Sequence, residues 1–561
     1  AHLGHGGYAT SGINSGNIGV DIAGDITFLG GAAAQNFAML GHGGTNAKGQ
    51  SSGGITVVSN GTNGINFQSG GGDSSYTQLG HGGWDADGTG NSGDISVTAN
   101  NGGVINFSAV SNDATDLENN NAYTMLGHGG RATNGDHFGT IDVVTVGGGD
   151  ITFTGGDALG FAQLGHGGRD SSGNLGNDGS NDEAVSAITV NSSGSIRFAA
   201  GSQGLQTWGA QEAYAQLGHG GYQASGNHIG SINVDAVGNI DFLAGDSYRS
   251  NAQLGHGGRA ARGDHLGSIN VYSTTGSLTF TGGALNESFA QLGHGGYDAD
   301  NPNGGGLWPN VPTSSVGNTG DITVNVLGNI TFLSGDDNSF SQLGHGGSYT
   351  NGDHSGNIDV TAGGALLFNA RHDNTGSNHY SQLGNGGFYA SGNMSGDITV
   401  NVGSDISFLA GRNSSYAHLG HGGRNEHNTG VQGEDPNNEN PANRRFFDRR
   451  IANNDGYVPG THTGDISVIG GGNLDFLGFN HDGSVAGNHG GGTYVQLGHG
   501  GFRNSADPNS VNGSGHNGMI TVDVTGNARV LSGYRIGETY AQIGHGGYQA
   551  MGNHGNDGSG S

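Results

Sequence analysis

The sequence predicts an all-β fold, a parallel β-solenoid of about twelve coils with three short strands to each coil and uncapped ends. Three observations carry this expectation. A five-residue box, [LI]-G-[HN]-G-G, recurs thirteen times along the 561 residues. Two segments in which apolar and small polar residues alternate stand between each box and the next. Glycine accounts for 122 residues and hydrophobic residues for only 32%, too few for a series of ordinary compact cores.

The third box residue falls at His5, His42, His81, His128, His166, His219, His256, His294, His345, Asn385, His421, His499 and His545, at intervals from 36 to 78 residues. Units of this size cannot each bury an apolar strip alone, but stacking them makes the strips continuous. The first strand of a unit reads Gly-x-Ile-x-Val, as in GDISV from Gly93, GSINV from Gly230 and GDITV from Gly320 and Gly396. Its period of two marks a strand with one buried face. The second strand follows after a Gly-Asn or Gly-Asp corner, as GNIDF from Gly238 or GNITF from Gly328. It closes on phenylalanine in eleven units, at Phe28, Phe67, Phe107, Phe153, Phe198, Phe242, Phe280, Phe332, Phe368, Phe408 and Phe476, and on Val530 in the twelfth. The third strand is the run that enters the box, YAQLG from Tyr214. Residues 1–561 thus read as one repetitive domain with loop insertions at 170–185, 298–319 and 424–463. A β-propeller also uses units of about 40 residues. Twelve units of three strands at such uneven intervals fit an open stack better.

Along Tyr214 to His219, alternation puts Ala215, Leu217 and His219 on one face, expected to be the core, and Tyr214 and Gln216 on the other. Strands stack about 4.8 Å apart, too close for a column of imidazoles to be charged together. The expectation is a ladder of neutral imidazoles, hydrogen-bonded to one another, to backbone or to water; a row of transition-metal sites is the competing reading. Asn385 favours the ladder, because an amide replaces imidazole in hydrogen bonding better than in metal ligation. A second set, His137, His228, His265, His354 and His554, lies nine residues after the box position and gives way elsewhere to Asn14, Ser51 or Met394. That variety predicts an exposed corner where histidine is incidental.

A formal net charge of −29, with Lys48 the single lysine, argues against nucleic acid and anionic membrane surfaces as partners. The chain has no cysteine, no apolar run of membrane-spanning length and no signal peptide, and it begins inside a box, as a mature or partial chain would. Acidic loops at Asp85 and from Asn425 to Asn443 offer oxygen ligands for calcium but lack the EF-hand pattern, so solvated loops are the plainer reading. No cofactor is expected, calcium or a transition metal being the alternatives. No catalytic constellation stands apart from the repeat, so no enzyme is expected. In the largest insertion, NRRFFDRR sets Arg444, Arg445, Arg449 and Arg450 around Phe446 and Phe447. This reads either as a contact patch for a neighbouring chain or an acidic glycan, or as a plug packed on the flank.

With GDITV, GNITF and AQLGHGG in view, the chain resembles, over essentially its whole length, the repeat region of filamentous-haemagglutinin-like exoproteins of the two-partner secretion type from Gram-negative bacteria. The resemblance implies a right-handed β-helical fibre, exported through an outer-membrane partner. It implies an extracellular or cell-surface adhesin that self-associates into filaments and contacts host or neighbouring cells, with glycan as a candidate target. The amino-terminal secretion domain of that family is not evident; Asn301-Pro302-Asn303-Gly304 echoes one of its motifs inside a mid-chain insertion. The alternatives are a metal-binding or electron-carrying fibre and a β-helical carbohydrate-binding or carbohydrate-active protein.

Overall fold

A computed structural model describes the chain apart from residues 111–120, 158, 202–211, 301–316, 371–376, 425–458, 480–491, 503–514, 534–538, 549, 551–552 and 555–561. The alternating segments form parallel sheets in which every strand pairs with its own counterpart from the coils before and after. A 12-stranded sheet gathers the Ile-x-Val strands from Ile18–Ile22 to Ile520–Val524, and a second 12-stranded sheet gathers the Phe strands from Ile26–Leu29 to Ala528–Leu531. A 13-stranded sheet gathers the box strands from His2–Leu3 to Tyr540–Ile543. Register is residue on like residue: Ile95 lies between Ile55 and Ile141, Phe107 between Phe67 and Phe153, Leu126 between Leu79 and Leu164. At about 4.8 Å per strand the box sheet is about 58 Å long.

The inward residues of the three sheets make one continuous core of Ile, Val, Phe, Leu and Ala. Along the column from Phe28 to Phe476, successive rings lie 4.7–5.0 Å apart and within 8° of parallel. That spacing belongs to the strands rather than to the rings. Val530 pairs with Phe476 in the last coil.

Beyond the three strands read from the sequence, each coil carries a fourth ladder at the corner, and the glycine after each box residue also pairs from coil to coil. Segments after the box form a corner sheet, four strands from Asn14–Ser15 to Asn134–Phe138 and eight from His228–Ile229 to Asn553–His554. Leu175 joins the two parts by bridging His137 and His228. Most of these strands are two residues long, too short to display alternation. They are made by pairing with the next coil, not by local pattern.

The insertions are narrower than their sequence bounds. Ser172 and Leu175 still follow the coil path, so the extra residues of 170–185 come after Leu175 and end in a short 3-10 helix, Glu183–Ser186. From there the Glu183 carboxylate accepts the Ser268 N–H at 3.1 Å, bracing the flank two coils further on. Within 298–319, Asn318–Thr319 is a corner strand, and within 424–463, Arg424 is buried and Pro459–Thr463 is another. Arg444, Arg445, Phe446, Phe447, Arg449 and Arg450, and likewise Asn301 to Gly304, lie outside the described residues.

Phe242 sits in the middle of the column, fully buried between Phe198 and Phe280. Phe242→Ala removes a ring stacked on both sides and is expected to cost about 3–5 kcal/mol in urea unfolding. A loss below about 1 kcal/mol would refute the column as a source of stability.

Candidate functional site

The box turns sharply, and its glycines are what allow it. Gly218 and Gly220 have φ of +148° and +113°, and a Cβ on them would lie 2.1 and 2.4 Å from the carbonyl oxygens of Gly255 and Gly257 in the next coil. Only glycine satisfies both the backbone angle and the close approach. Between the two sits the box histidine, its ring held over the ring of the next coil. Adjacent box imidazoles are 4.7–5.0 Å apart and within 15° of parallel.

From His42 onward each box ring is hydrogen-bonded twice, always in the same sense. The backbone N–H of one box residue donates to Nδ1 of the next histidine at 2.9–3.1 Å, from His5 to His42 through to His499 to His545. An amide donor requires a lone pair on Nδ1, so the ring proton is on Nε2. Nε2 donates at 2.6–2.9 Å to a carbonyl before the Ile-x-Val strand, that of Gly230 for His256, of Gly267 for His294, and of Ser186 for His219. Asn385 reproduces both bonds: its Oδ1 accepts the His345 N–H at 2.9 Å, and its Nδ2 donates to the Gly356 and Ser395 carbonyls at 3.3 and 3.1 Å. The paired box imidazoles have no lone pair left for a metal ion.

Burial pushes these imidazoles down, His81, His166, His345 and His421 to about 4, and His128, His219, His256, His294 and His499 well below their ordinary range. The bonds to glycine carbonyls act in the opposite direction without reversing it.

The face of Tyr214 and Gln216, expected to lie opposite the core, is buried as well. After the box the chain folds back over it: a Cβ on Gly221 would stand 2.8 Å from the Tyr214 hydroxyl. Beneath this turn Tyr76, Tyr123, Phe161 and Tyr214 form one aromatic stack and Phe289, Phe340, Tyr380, Tyr416 and Tyr494 another, with Asn251 between them. Gln216 directs its Nε2 toward the carbonyls of His219, Gly255 and Gly257 at 3.3, 3.1 and 3.1 Å, and Gln163, Gln253 and Gln291 repeat the arrangement. The recurring glutamine of the AQLG run was the sequence signal for this second ladder.

The corner histidines are not exposed, contrary to the expectation from their variable replacements. His137, His228, His265 and His354 are all 0% exposed. The residues aligned with them are buried too, Leu175, Asn318 and His516 at 0%, Met394 and His462 at 1%, Ser51 at 2% and Asn91 at 5%. Asn14, in the first coil, is half-buried, and the side chain of His554 lies outside the described set. The rings pack onto the box glycines: a Cβ on Gly257 would be 2.8 Å from His265 Cδ2. The variety of residue types reflects a small interior groove that accepts any compact side chain.

The Asp and Asn residues of the corners accept backbone N–H groups of the next coil. Asp321 accepts from Asn357, Asn357 from Asp397, Asp397 from Asp465 and Asp465 from Met519, at 2.7–2.9 Å. In the acidic loop at Asp85, Asp87 accepts a bond from the Asn134 amide. Among the described residues no group of three His, Asp or Glu side chains is arranged to enclose a metal ion. On the flank, Glu212 takes Arg169 and Arg249 at 3.1 and 3.3 Å, while Arg169 and Arg259 stack over Tyr222 and Tyr297 of the following coil at 4.4 and 4.3 Å.

No protein-family model matches the chain, and no curated protein matches it.

Two outcomes follow from the imidazole column. An unfolded histidine titrates near 6.5, so between about 6.5 and 4 the unfolded chain binds more protons than the folded one and stability falls as pH drops. Each imidazole held at about 4 should remove about 2 kcal/mol by pH 5, read from the urea midpoint between pH 7.5 and 5. A midpoint that does not move would exclude buried neutral rings. His256→Asn should be nearly neutral because both bonds survive. His256→Leu should orphan the His219 N–H and the Gly230 carbonyl, at about 1–3 kcal/mol each. Equal losses for the two variants would contradict the ladder.

Proposed function

We propose that this chain is a structural component of an extracellular bacterial fibre or surface filament with an adhesive, cell-contact role, either as a span of a longer exoprotein or as a subunit that stacks end to end. The observation that carries the reading is where the repeated polar side chains go. Imidazole, glutamine amide and corner carboxylate are engaged in bonds from one coil to the next or across a coil, rather than converging on a cleft. Such a body resists bending and local unfolding, which suits load and reach rather than turnover.

Two further features support it. Within the stack each coil adds to the one before by the same like-on-like pairing of all three sheets, so a further coil of the same kind extends it by the same bonds. The acidic surface, with a formal net charge of −29, keeps such stacks from adhering to nucleic acid or to one another laterally. No helix among the described residues is long and apolar enough to cross a membrane.

Electron microscopy and fibre diffraction of the native material test the proposal. Filaments with an axial repeat of about 4.8 Å are expected, together with binding to cells or acidic glycan that involves no glycan cleavage. Deleting residues 443–450 should weaken that binding and leave the filament intact. Isolated compact particles, or glycan turnover, would overturn the reading.

A further inference from the structure

On the flank, the residue that follows each box faces the segment that leads into a box strand, and in the middle coils ion pairs tie the two together. Glu212 takes Arg169 at 3.1 Å and accepts the Tyr222 hydroxyl at 2.9 Å, and Glu287 takes Arg249 at 3.0 Å and also Arg259. Both glutamates stand two residues before a box strand, Tyr214–Leu217 for the first and Phe289–Leu292 for the second. In the coils of Trp84 and Arg131 that position holds Ser74 and Asn121, ahead of Tyr76–Leu79 and Tyr123–Leu126. No carboxylate stands there to close the flank.

Arg131 is left short of partners as a result. Its guanidinium reaches the Ser74 hydroxyl at 3.4 Å, its Nε is buried with no hydrogen bond, and among the described residues it forms no ion pair. Arg169 and Arg259 each stack over the ring of the next coil, but the residue after Arg131 in this column is Arg169, a like charge. The acidic groups that act on Arg131 are already engaged: Asp73 accepts from Ser74 and Asn121 at 3.1 Å each, and Asp170 lies 3.5 Å from Arg169. Two neighbouring guanidinium groups with one counter-charge missing are costly unless an anion joins them. On the other side of Arg131 lies Trp84, half-buried and packed on Tyr76 and Tyr123. The strands Gly82–Trp84 and Gly129–Arg131 pair in register, so indole and guanidinium stand one strand spacing apart, about 4.8 Å.

We propose that Trp84 and Arg131 form a binding site for one carboxylate-bearing sugar, a uronate or a sialate, at the end of a glycan chain. The ligand carboxylate gives Arg131 the planar two-bonded partner that the glutamates give the other flank arginines. The apolar face of the pyranose ring covers the part of the indole that solvent reaches. A net charge of −29 repels long polyanions but bears little on a single charge in contact, because salt screens it beyond about 8 Å. The site gives the cell-contact reading a chemical target and rests on that reading only for the place where the glycan is met.

The full chain is mixed with glucuronate-terminated and with sialate-terminated oligosaccharides, and ligand contact is read by saturation-transfer NMR. Transfer to the ring protons of the acidic sugar is expected in one mixture or both, and the positive mixture identifies the source. Arg131→Gln should weaken binding by about tenfold or more. Trp84→Ala should abolish transfer to the apolar ring face, and Arg262→Gln, at the corner, should change neither. Circular dichroism checks that each variant folds. Should the variants fail to fold, methyl esters of the same sugars decide on the unaltered chain, with binding about tenfold weaker than for the free acids. Equal binding of acid and ester, affinity unchanged in Arg131→Gln, or no transfer to either sugar would overturn the site. Filaments that bind neither sugar would leave the fibre reading standing, whereas sugar binding by compact particles would sink that reading and keep the site.

Discussion

The interval between one coil and the next governs the whole molecule. At about 4.8 Å, the distance between paired strands, every paired strand residue lies directly on its counterpart from the neighbouring coil, and none of these side chains can be chosen without regard to its own copy. Apolar residues meet this easily, and the phenylalanine column is the result. Glycine meets it where two backbones come closer than any Cβ permits. A polar residue meets it only if it can accept from one group and donate to another at the same time.

Imidazole, glutamine and asparagine have that double capacity in neutral form, and these are the polar groups of the box and glutamine ladders. The carboxylates of the corner ladders sit at exposed positions, where they accept amides of the next coil while water solvates their charge. Histidine within and aspartate without follow from one rule: a buried charge needs a partner and a solvated one does not. The two ladders also run in opposite senses. At the box the amide of one coil donates forward to the next imidazole, whereas at the corners the amide of the later coil donates back. Forward and backward bonds together tie each coil to both of its neighbours.

The buried tyrosine and glutamine face shows how far a local pattern reaches. Period-two alternation assigns Tyr214 and Gln216 to the side away from the core, and that much is correct. It does not say whether that side meets solvent. The answer depends on the turn at Gly220 and Gly221, which brings the chain back across it. The corner histidines were misjudged for the same reason. Their neighbours are box glycines several residues away and side chains of other coils some 35 to 55 residues away, none of which appears in a window of sequence around them.

The sequence by itself determined the repeat, the three strands whose alternation is long enough to see, the identity of the phenylalanine column and the box as a stacked position. Periodicity along a chain becomes periodicity in space once units stack, so these follow from the residues alone. Tertiary structure decided the fourth ladder, the second aromatic interior, the tautomer of every paired box imidazole and the placing of Arg131 opposite Ser74 rather than a carboxylate. Each of these depends on which groups a turn brings opposite one another, and a hydrogen-bond partner from another coil leaves no trace in local order.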